Sequence, residues 1–278
     1  MTSLVDLWRY PVKSMMGERL DRVALTEHGV LGDRGWAPRD EVRGGIRGAK
    51  KIGGLMRLAA RYVEEPNDDR PFPDAIIDLG DGTSVRTDAA DVHSRVSAAL
   101  DHPVTLFPIR PADDLDHYRR GPGDTDDIIE ELRNVFGREG DEPLPDISKL
   151  PPVVFEYESP PGTYFDALPL LIMTRQSLAS IDADARRFRP NLIVDAPESD
   201  DPFPENLWVG QTLEIGDAQI RVDTECPRCV MITRPFADLP EDRSVLRRVV
   251  RDANQNLGVY ATVTRPGTVR VGDEVRVL

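Results

Sequence analysis

The chain is poor in cysteine: two stand among its 278 residues, three positions apart at Cys226 and Cys229. Two cysteines are too few for a disulfide framework, an Fe–S cluster or a zinc site closed by four thiolates. All four histidines lie in the first half of the sequence, far from the pair and without zinc-ligand spacing to it. Two cysteines are still enough for one of them to bind, as a thiolate, a metal whose other ligands come from a cofactor.

Long apolar runs are also lacking, since none reaches the length of a membrane span, and no charged-then-apolar leader opens the chain. Acidic residues outnumber basic ones by 49 to 35, which gives a formal net charge of −14. This charge disfavours binding to nucleic acids and anionic membranes, because the long-range field repels phosphate. The sequence therefore predicts a soluble protein without a nucleic-acid or membrane partner, and its scarce cysteine fits a reducing cytoplasm.

Most of the chain consists of short alternating segments separated by glycine turns, which predict strands. Helices are predicted after a cap at Asp88, after Thr174 and from Ser244, each with apolar residues on one face. This mixture predicts an α+β fold that is mostly β and barrel-like. A polar, Pro- and Gly-rich stretch predicts a linker or flexible loop with a short helix from Ile128 to Phe136. The predicted division is a β-rich unit at residues 1–110, the linker at 111–150 and a second unit at 151–278.

The two cysteines stand in the segment from Cys226 to Pro235. Ile220 to Val222 alternates like a strand and β-branched or apolar residues follow Cys229, so the helix start of a thioredoxin-like redox pair is not indicated. Arg228 is expected to lower the thiol pKa and to bind the negative charge of a cofactor. The residues alone leave a structural or incidental role for the pair open.

Three segments carry a resemblance to a known family: Arg228-Cys229 at the exit of a strand, Arg189-Pro190-Asn191 before it, and the ending from Pro266 to Asp273. Together they resemble a MOSC domain, and the first unit resembles the β-rich MOSC N-terminal domain. The family binds the molybdenum cofactor, Mo-molybdopterin, and includes bacterial molybdoenzymes and the mitochondrial amidoxime reducing component. The resemblance implies a MOSC-type β-barrel in which Cys229 is the metal ligand, with Cys226 more structural than ligating.

Further positions resemble the cofactor-binding elements of that family. The segment from Tyr10 to Ser14 is similar to an N-terminal signature whose Lys-Ser pair meets the cofactor phosphate, and Leu31 to Trp36 is similar to the next motif. Taken singly, each position has a plainer interpretation, such as a solvated turn lysine, an ion-paired turn arginine or an ordinary helix cap. The resemblance implies cofactor binding by Lys13, Ser14, Arg34, Thr174, Arg175, Arg189, Asn191, Arg228 and Tyr260.

The resemblance also implies a reaction. It predicts a cytoplasmic oxidoreductase that reduces N-hydroxylated compounds (amidoximes, hydroxylamines and N-hydroxylated bases) to amines or amidines. Electrons are expected from a separate flavin, Fe–S or haem carrier, because the chain has neither a Gly-x-Gly-x-x-Gly turn for a nicotinamide nor cysteines for a cluster. Asp223 and Glu225 lie near the cysteines, but neither belongs to a motif that marks a proton donor.

Two alternatives to the reductase remain open. The chain could be a carrier or sulfuration-related binding module for the molybdenum cofactor without reductase activity. It could also be a β-domain with a structural cysteine pair and no cofactor.

Overall fold

The computed structural model describes residues 2–197 and 200–278, in which strand outweighs helix. The strands are β1 (Ser3–Arg9), β2 (Glu18–Leu20), β3 (Arg22–Thr26), β4 (Gly29–Val30), β5 (Trp36–Asp40), β6 (Ala59–Tyr62), β7 (Ala75–Asp78), β8 (Ser84–Arg86), β9 (Val104–Pro108), β10 (Leu170–Thr174), β11 (Leu192–Asp195), β12 (Thr212–Ile215), β13 (Ala218–Pro227), β14 (Asn256–Arg265), β15 (Gly267–Arg270) and β16 (Val275–Val277). The helices are α1 (Val92–Leu100), α2 (Leu115–Tyr118), α3 (Ile128–Phe136), α4 (Val153–Glu156), α5 (Arg175–Ile181) and α6 (Arg243–Asp252). Short 3-10 turns cover Gly53–Arg57, Ala185–Arg187, Pro204–Trp208 and Val230–Thr233.

An eight-stranded sheet forms the centre of the molecule, in the order β16-β12-β13-β14-β10-β11-β1-β2. Its pairs are antiparallel except β10 with β11, which run parallel. The two longest strands, β13 and β14, pair with three register shifts. Such bulges bend a strand and increase its twist, and this sheet curls into a half-barrel. The predicted α+β, mostly β fold with barrel-like character is confirmed.

The curled sheet encloses the largest apolar core. Along β13 buried residues alternate with more accessible ones, and Ala218, Ile220 and Val222 point inward. Burial of each such aliphatic side chain contributes roughly 1.5–3 kcal/mol relative to exposure. Leu4 and Leu7 of β1 pack in the same core. The first strand therefore shares a sheet and a core with the second half of the chain, and the division at residues 110 and 150 remains a prediction.

Smaller sheets extend the N-terminal part of the molecule. β5 pairs with β9, β6-β7-β8 form a three-stranded sheet, and β3 lies between β15 and β4. A second apolar core joins α1 to strands β6 to β9 and to the turn that follows β1. This core fixes the loops that begin at Lys13 and at Ile46, and both loops reach the cavity described below.

The helix predictions hold with two differences at the termini. α3 covers the predicted range, with Asp127 accepting hydrogen bonds from two backbone N–H groups and Gly137 in the left-handed conformation at its end. α6 begins one residue early, at Arg243, because Asp242 caps it. The predicted cap at Asp88 is wrong: its carboxylate pairs with Arg86, and α1 begins only at Val92. In the described part of the chain, no helix is long and apolar enough to cross a membrane.

Candidate functional site

Loops from both halves of the chain surround a cavity of about 460 Å³ beside the end of β13. Eight of the ten predicted site residues line it: Lys13, Ser14, Arg34, Arg189, Asn191, Arg228, Cys229 and Tyr260. Lys13 and Ser14 come from the turn after β1, whereas Arg189 and Asn191 come from the turn before β11. Because β1 and β11 pair directly, the two turns meet at one end of the sheet.

Two arginines form the cationic floor of this cavity. The guanidinium of Arg189 lies over the ring of Tyr10 at 4.1 Å, and that of Arg34 lies 5.5 Å from the same ring. Both residues have positive φ, 56° and 52°, a conformation that costs a non-glycine residue roughly 1–2 kcal/mol. Strained backbone of this kind is often retained at functional sites. Here it holds two like charges side by side.

Arg189 has donor capacity left over. Its Nη1 group donates to the carbonyl of Met15, but its buried Nη2 has no hydrogen-bond partner among residues 2–197 and 200–278. Burial, followed by the charge of Arg34, lowers the pKa of Arg189 to about 10. An unpaired buried donor costs about 1–3 kcal/mol, so an anion bound here would remove an existing penalty.

Asp33 holds this floor in place. Its Oδ1 accepts from the backbone N–H of Tyr10 at 2.7 Å, and its Oδ2 accepts from the Asn191 side chain at 3.2 Å and from Arg34. Asn191 in turn accepts from the N–H of Leu171 at 3.1 Å. Asn191 therefore orders the junction of β1, β10 and β11, whereas the two arginines face the cavity.

Lys13 is more occupied than the resemblance implies. Its buried Nζ donates to Asp166 Oδ1 at 2.6 Å, to the carbonyl of Tyr164 at 2.8 Å and to Ser159 Oγ at 3.2 Å. Burial lowers the pKa of Lys13, and Asp166 opposes that shift. A phosphate at Lys13 would therefore compete with the Asp166 carboxylate.

The structure adds cavity residues that sequence reasoning did not identify. Lys50 lies 3.9 Å from Asp166 and 4.0 Å from Glu158, and Asp166 raises its pKa. Although burial raises the pKa of Asp166, Lys13 and Lys50 hold it well below its usual range, so this carboxylate stays ionised. The sequence did contain a pattern that could have indicated an anion-binding loop at Lys50: residues 44–51 combine three glycines with Arg47, Lys50 and Lys51.

Close packing explains one of those glycines. A Cβ atom at Gly48 would lie 2.7 Å from Ser14 Oγ, which accepts a hydrogen bond from the neighbouring N–H of Ala49. Glycine therefore allows the basic 44–51 loop to approach the Lys13–Ser14 turn. This turn and loop are far apart in sequence, so their contact could not be predicted from local pattern.

The two cysteines differ in setting. Cys229 is half-buried in the cavity wall immediately before Val230–Thr233, whereas Cys226 is fully buried. Cys226 pairs with the Tyr260 hydroxyl, and burial raises the pKa values of both groups. Tyr260 therefore faces the cavity beside Cys226.

Arg228 lowers the pKa of the Cys229 thiol as expected, but its effect is smaller than those of burial and Lys50. Burial raises the pKa of Cys229, and Lys50 opposes this shift more strongly than Arg228 does. The Arg228 guanidinium also donates to the carbonyls of Leu257 at 2.7 Å and Phe188 at 3.2 Å. Arg228 thus ties the cysteine loop to β14.

Thr174 and Arg175 do not line the cavity. Thr174 is buried as the cap of α5, where its hydroxyl accepts from the N–H of Ser177 and donates to Glu205 at 2.6 Å. Arg175 is exposed and lies 3.5 Å from Asp195. Asp223 and Glu225 also lie outside it, the former paired with Arg221 and the latter with Asn256.

Replacement of Thr174 by alanine should therefore affect folding and leave the cavity intact. We expect the free energy of unfolding to fall by about 1–3 kcal/mol, since a helix cap and a hydrogen bond to buried Glu205 are lost together. Urea unfolding measures this change, and the binding of anions by the cavity should stay as in the unmodified protein. Weaker anion binding with unchanged stability would contradict the assignment.

The donor set of the cavity fits a molybdopterin-type group. Cys229 offers one soft sulfur ligand of the kind such metals accept, and the unpartnered Nη2 of Arg189 beside Arg34 suits a phosphate. Within residues 2–197 and 200–278, no three or more His, Cys, Asp or Glu side chains cluster to hold a metal ion. A cofactor that carries its own metal ligands is compatible with this set.

Comparison with known proteins relates the chain to several curated relatives. Mitochondrial amidoxime reducing component 2 of Macaca fascicularis is 31% identical over 131 residues, which cover 40% of this chain and 38% of the relative. The Bos taurus protein of the same name is 23% identical over 305 residues, covering 97% of this chain and 81% of the relative. The chain thus matches about two fifths of the length of the first of these relatives.

A solved structure and two family models complete the comparison. The YuaD protein from Bacillus subtilis gives a TM-score of 0.41 at 12% identity, covering 99% of this chain and 94% of the other. Residues 1–71 match the MOSC N-terminal beta barrel domain, and residues 164–276 match the MOSC domain, which includes the turn before β11 and the cysteine loop. The chain therefore belongs to the MOSC family, with a MOSC N-terminal β-barrel domain preceding its MOSC domain.

Proposed function

We propose that this protein is a molybdenum-cofactor-dependent oxidoreductase that reduces N-hydroxylated compounds to amines or amidines. The observation that carries the proposal is the unpartnered Nη2 of Arg189, which lies beside Arg34 in the same cavity as Cys229. Similarity to proteins named amidoxime reducing components supports the reaction class. The substrates are amidoximes, hydroxylamines and N-hydroxylated bases.

Each cavity residue has a role in this proposal. Arg34, Arg189 and the Lys13–Ser14 turn would hold the cofactor phosphate, and Cys229 would be the protein ligand of the metal. When bound, the cofactor supplies two-electron redox chemistry that the protein side chains lack. The reaction breaks the N–O bond, consumes two electrons and two protons, and releases water.

Charges at the cavity indicate how the chain treats the substrate. Asp166 is ionised and cannot donate a proton, whereas Lys50 keeps its charge because Asp166 raises its pKa. Lys50 would donate a hydrogen bond to the polar head of the substrate. Asp166 would offset the repulsion between Lys13 and Lys50 by forming an ion pair with each of them.

The proposal includes a cytoplasmic location and a separate flavin, Fe–S or haem carrier as electron donor. The two cysteines support the need for a separate carrier. Cys229 is assigned to the metal and Cys226 is buried, so neither is available to bind an Fe–S cluster within the chain.

The test uses protein from a host that makes the cofactor. We expect molybdenum to copurify, and benzamidoxime to be converted to benzamidine with reduced methyl viologen but not with NADH alone. Protein from a cofactor-deficient strain is the control. Molybdenum-replete protein without turnover would favour a carrier or sulfuration-related module, and absence of molybdenum would favour a β-domain without a cofactor.

A further inference from the structure

One helix of the cavity wall presents an apolar face that the protein core does not cover. None of the nine residues of α3 is fully buried. Ile128, Leu132 and Val135 recur at helical spacing and line the cavity, whereas Ile129 on another side of the helix does not. The face is therefore directed at the cavity.

Other apolar residues extend this surface. Ile147, Leu150 and Phe155 line the same cavity, and Phe155 is 53% exposed. We call the set formed by Ile128, Leu132, Val135, Ile147, Leu150 and Phe155 the apolar wall. Apolar surface left in water forfeits about 25 cal/mol per Å², so the wall is costly unless something covers it.

Ion pairs fix the wall relative to the cationic floor. Glu131, on the cavity side of α3, binds Lys51 of the basic 44–51 loop and accepts from the N–H of Asp124 at 3.1 Å. Asp127 and Gly137 hold the two ends of the helix. The cavity consequently has one cationic side that carries Arg34, Arg189 and Lys50, and one apolar side.

We propose that the apolar wall binds the hydrocarbon body of the substrate, so that the enzyme prefers N-hydroxylated compounds with an alkyl chain or an aryl ring to small hydrophilic ones. This inference rests on the proposed function. The wall belongs to the cavity that contains Cys229, and a volume of about 460 Å³ suits a small molecule. Because Arg34 and Arg189 are assigned to the cofactor phosphate, a body held by the wall leaves the polar head to Lys50 on the cationic side.

The test is a homologous series of straight-chain amidoximes from acetamidoxime to octanamidoxime. With reduced methyl viologen as donor, kcat/KM should rise about two- to fourfold per methylene until the wall is covered, the range expected for partial to full burial of a CH₂ group. Calorimetric binding of the matching amidines should show the same slope without any turnover. A series without chain-length dependence in both measurements would overturn the proposal.

Three variants at two positions of α3 show where the hydrocarbon body binds. Leu132→Asp should flatten both slopes, because a charge placed in the wall removes the gain from apolar contact. Ile129→Asp is the matched control, since it adds the same charge to the same helix at a position that is 53% exposed and outside the cavity. Leu132→Ser repeats the test without a new charge. Equal slopes in Leu132→Asp and unmodified protein would contradict the wall as the site.

Failure of the proposed function gives a different result. In that case no amidoxime is reduced by molybdenum-loaded protein, but the amidine series still shows a binding slope that Leu132→Asp removes. An active enzyme whose amidine binding and kcat/KM are independent of chain length would instead retain the function and overturn the apolar wall.

Discussion

Replacing Cys229 by serine is expected to abolish both molybdenum retention and amidoxime reduction. A serine hydroxyl is a hard ligand with a far higher pKa than a thiol, so it does not replace a thiolate on a soft metal. Cys229 is also the cysteine that lies half-buried in the cavity wall. We expect activity to fall by more than about 100-fold, at or beyond the upper end of the losses seen when metal-site partners are removed. Elemental analysis per mole of protein and benzamidoxime turnover measure the two effects.

Cys226→Ser is the matched control, because it also replaces a cysteine sulfur by oxygen, three positions before Cys229. Cys226 is buried against Tyr260, and a serine there keeps a group able to hydrogen-bond the tyrosine hydroxyl. We expect molybdenum content to stay near that of the unmodified protein and activity to fall by less than about tenfold. Equal, complete loss in both variants would favour a redox disulfide over a metal ligand.

Local pattern was sufficient for much of the fold. Alternation along β13 and the Asp127 cap of α3 depend on residues adjacent in sequence, so the strand and the helix could be predicted. The predicted helix cap at Asp88 was wrong because of another residue that is also close in sequence. Arg86, two residues earlier, binds that carboxylate, and a charged partner competes with capping.

The candidate site was predictable only in part, because its parts meet through tertiary contacts. Family resemblance indicated Arg34 and Arg189, but no local pattern relates Lys13 to Asp166, which lie 153 residues apart. No local pattern predicts that the Arg228 guanidinium donates to the carbonyls of Leu257 and Phe188, which lie 29 and 40 residues away in sequence. The resemblance implied that Thr174 is a site residue, whereas its hydroxyl faces Glu205.

Arg189→Ala is expected to weaken retention of the cofactor by roughly 1.5–3 kcal/mol, or about 10- to 150-fold, the range for a hydrogen bond to a charged group. Its Nη2 has no hydrogen-bond partner in the part of the chain that the structure describes, so this donor is available to a phosphate. Arg34→Ala should have a smaller effect, because Arg34 is already paired with Asp33. Molybdopterin content after extensive dialysis measures retention, and thermal unfolding checks that the fold survives.

Arg175→Ala tests whether the cofactor binds in the cavity or at the start of α5, where the resemblance also implies a binding residue. Arg175 carries the same charge and stands among the residues that the resemblance implies, but it is exposed and lies near Asp195, outside the cavity. An exposed ion pair contributes about 0–1 kcal/mol, so this variant should fold normally and keep its molybdopterin through dialysis. Loss of the cofactor from Arg175→Ala with full retention by Arg189→Ala would mean that the phosphate binds at the start of α5, and the cavity would then no longer be the cofactor site.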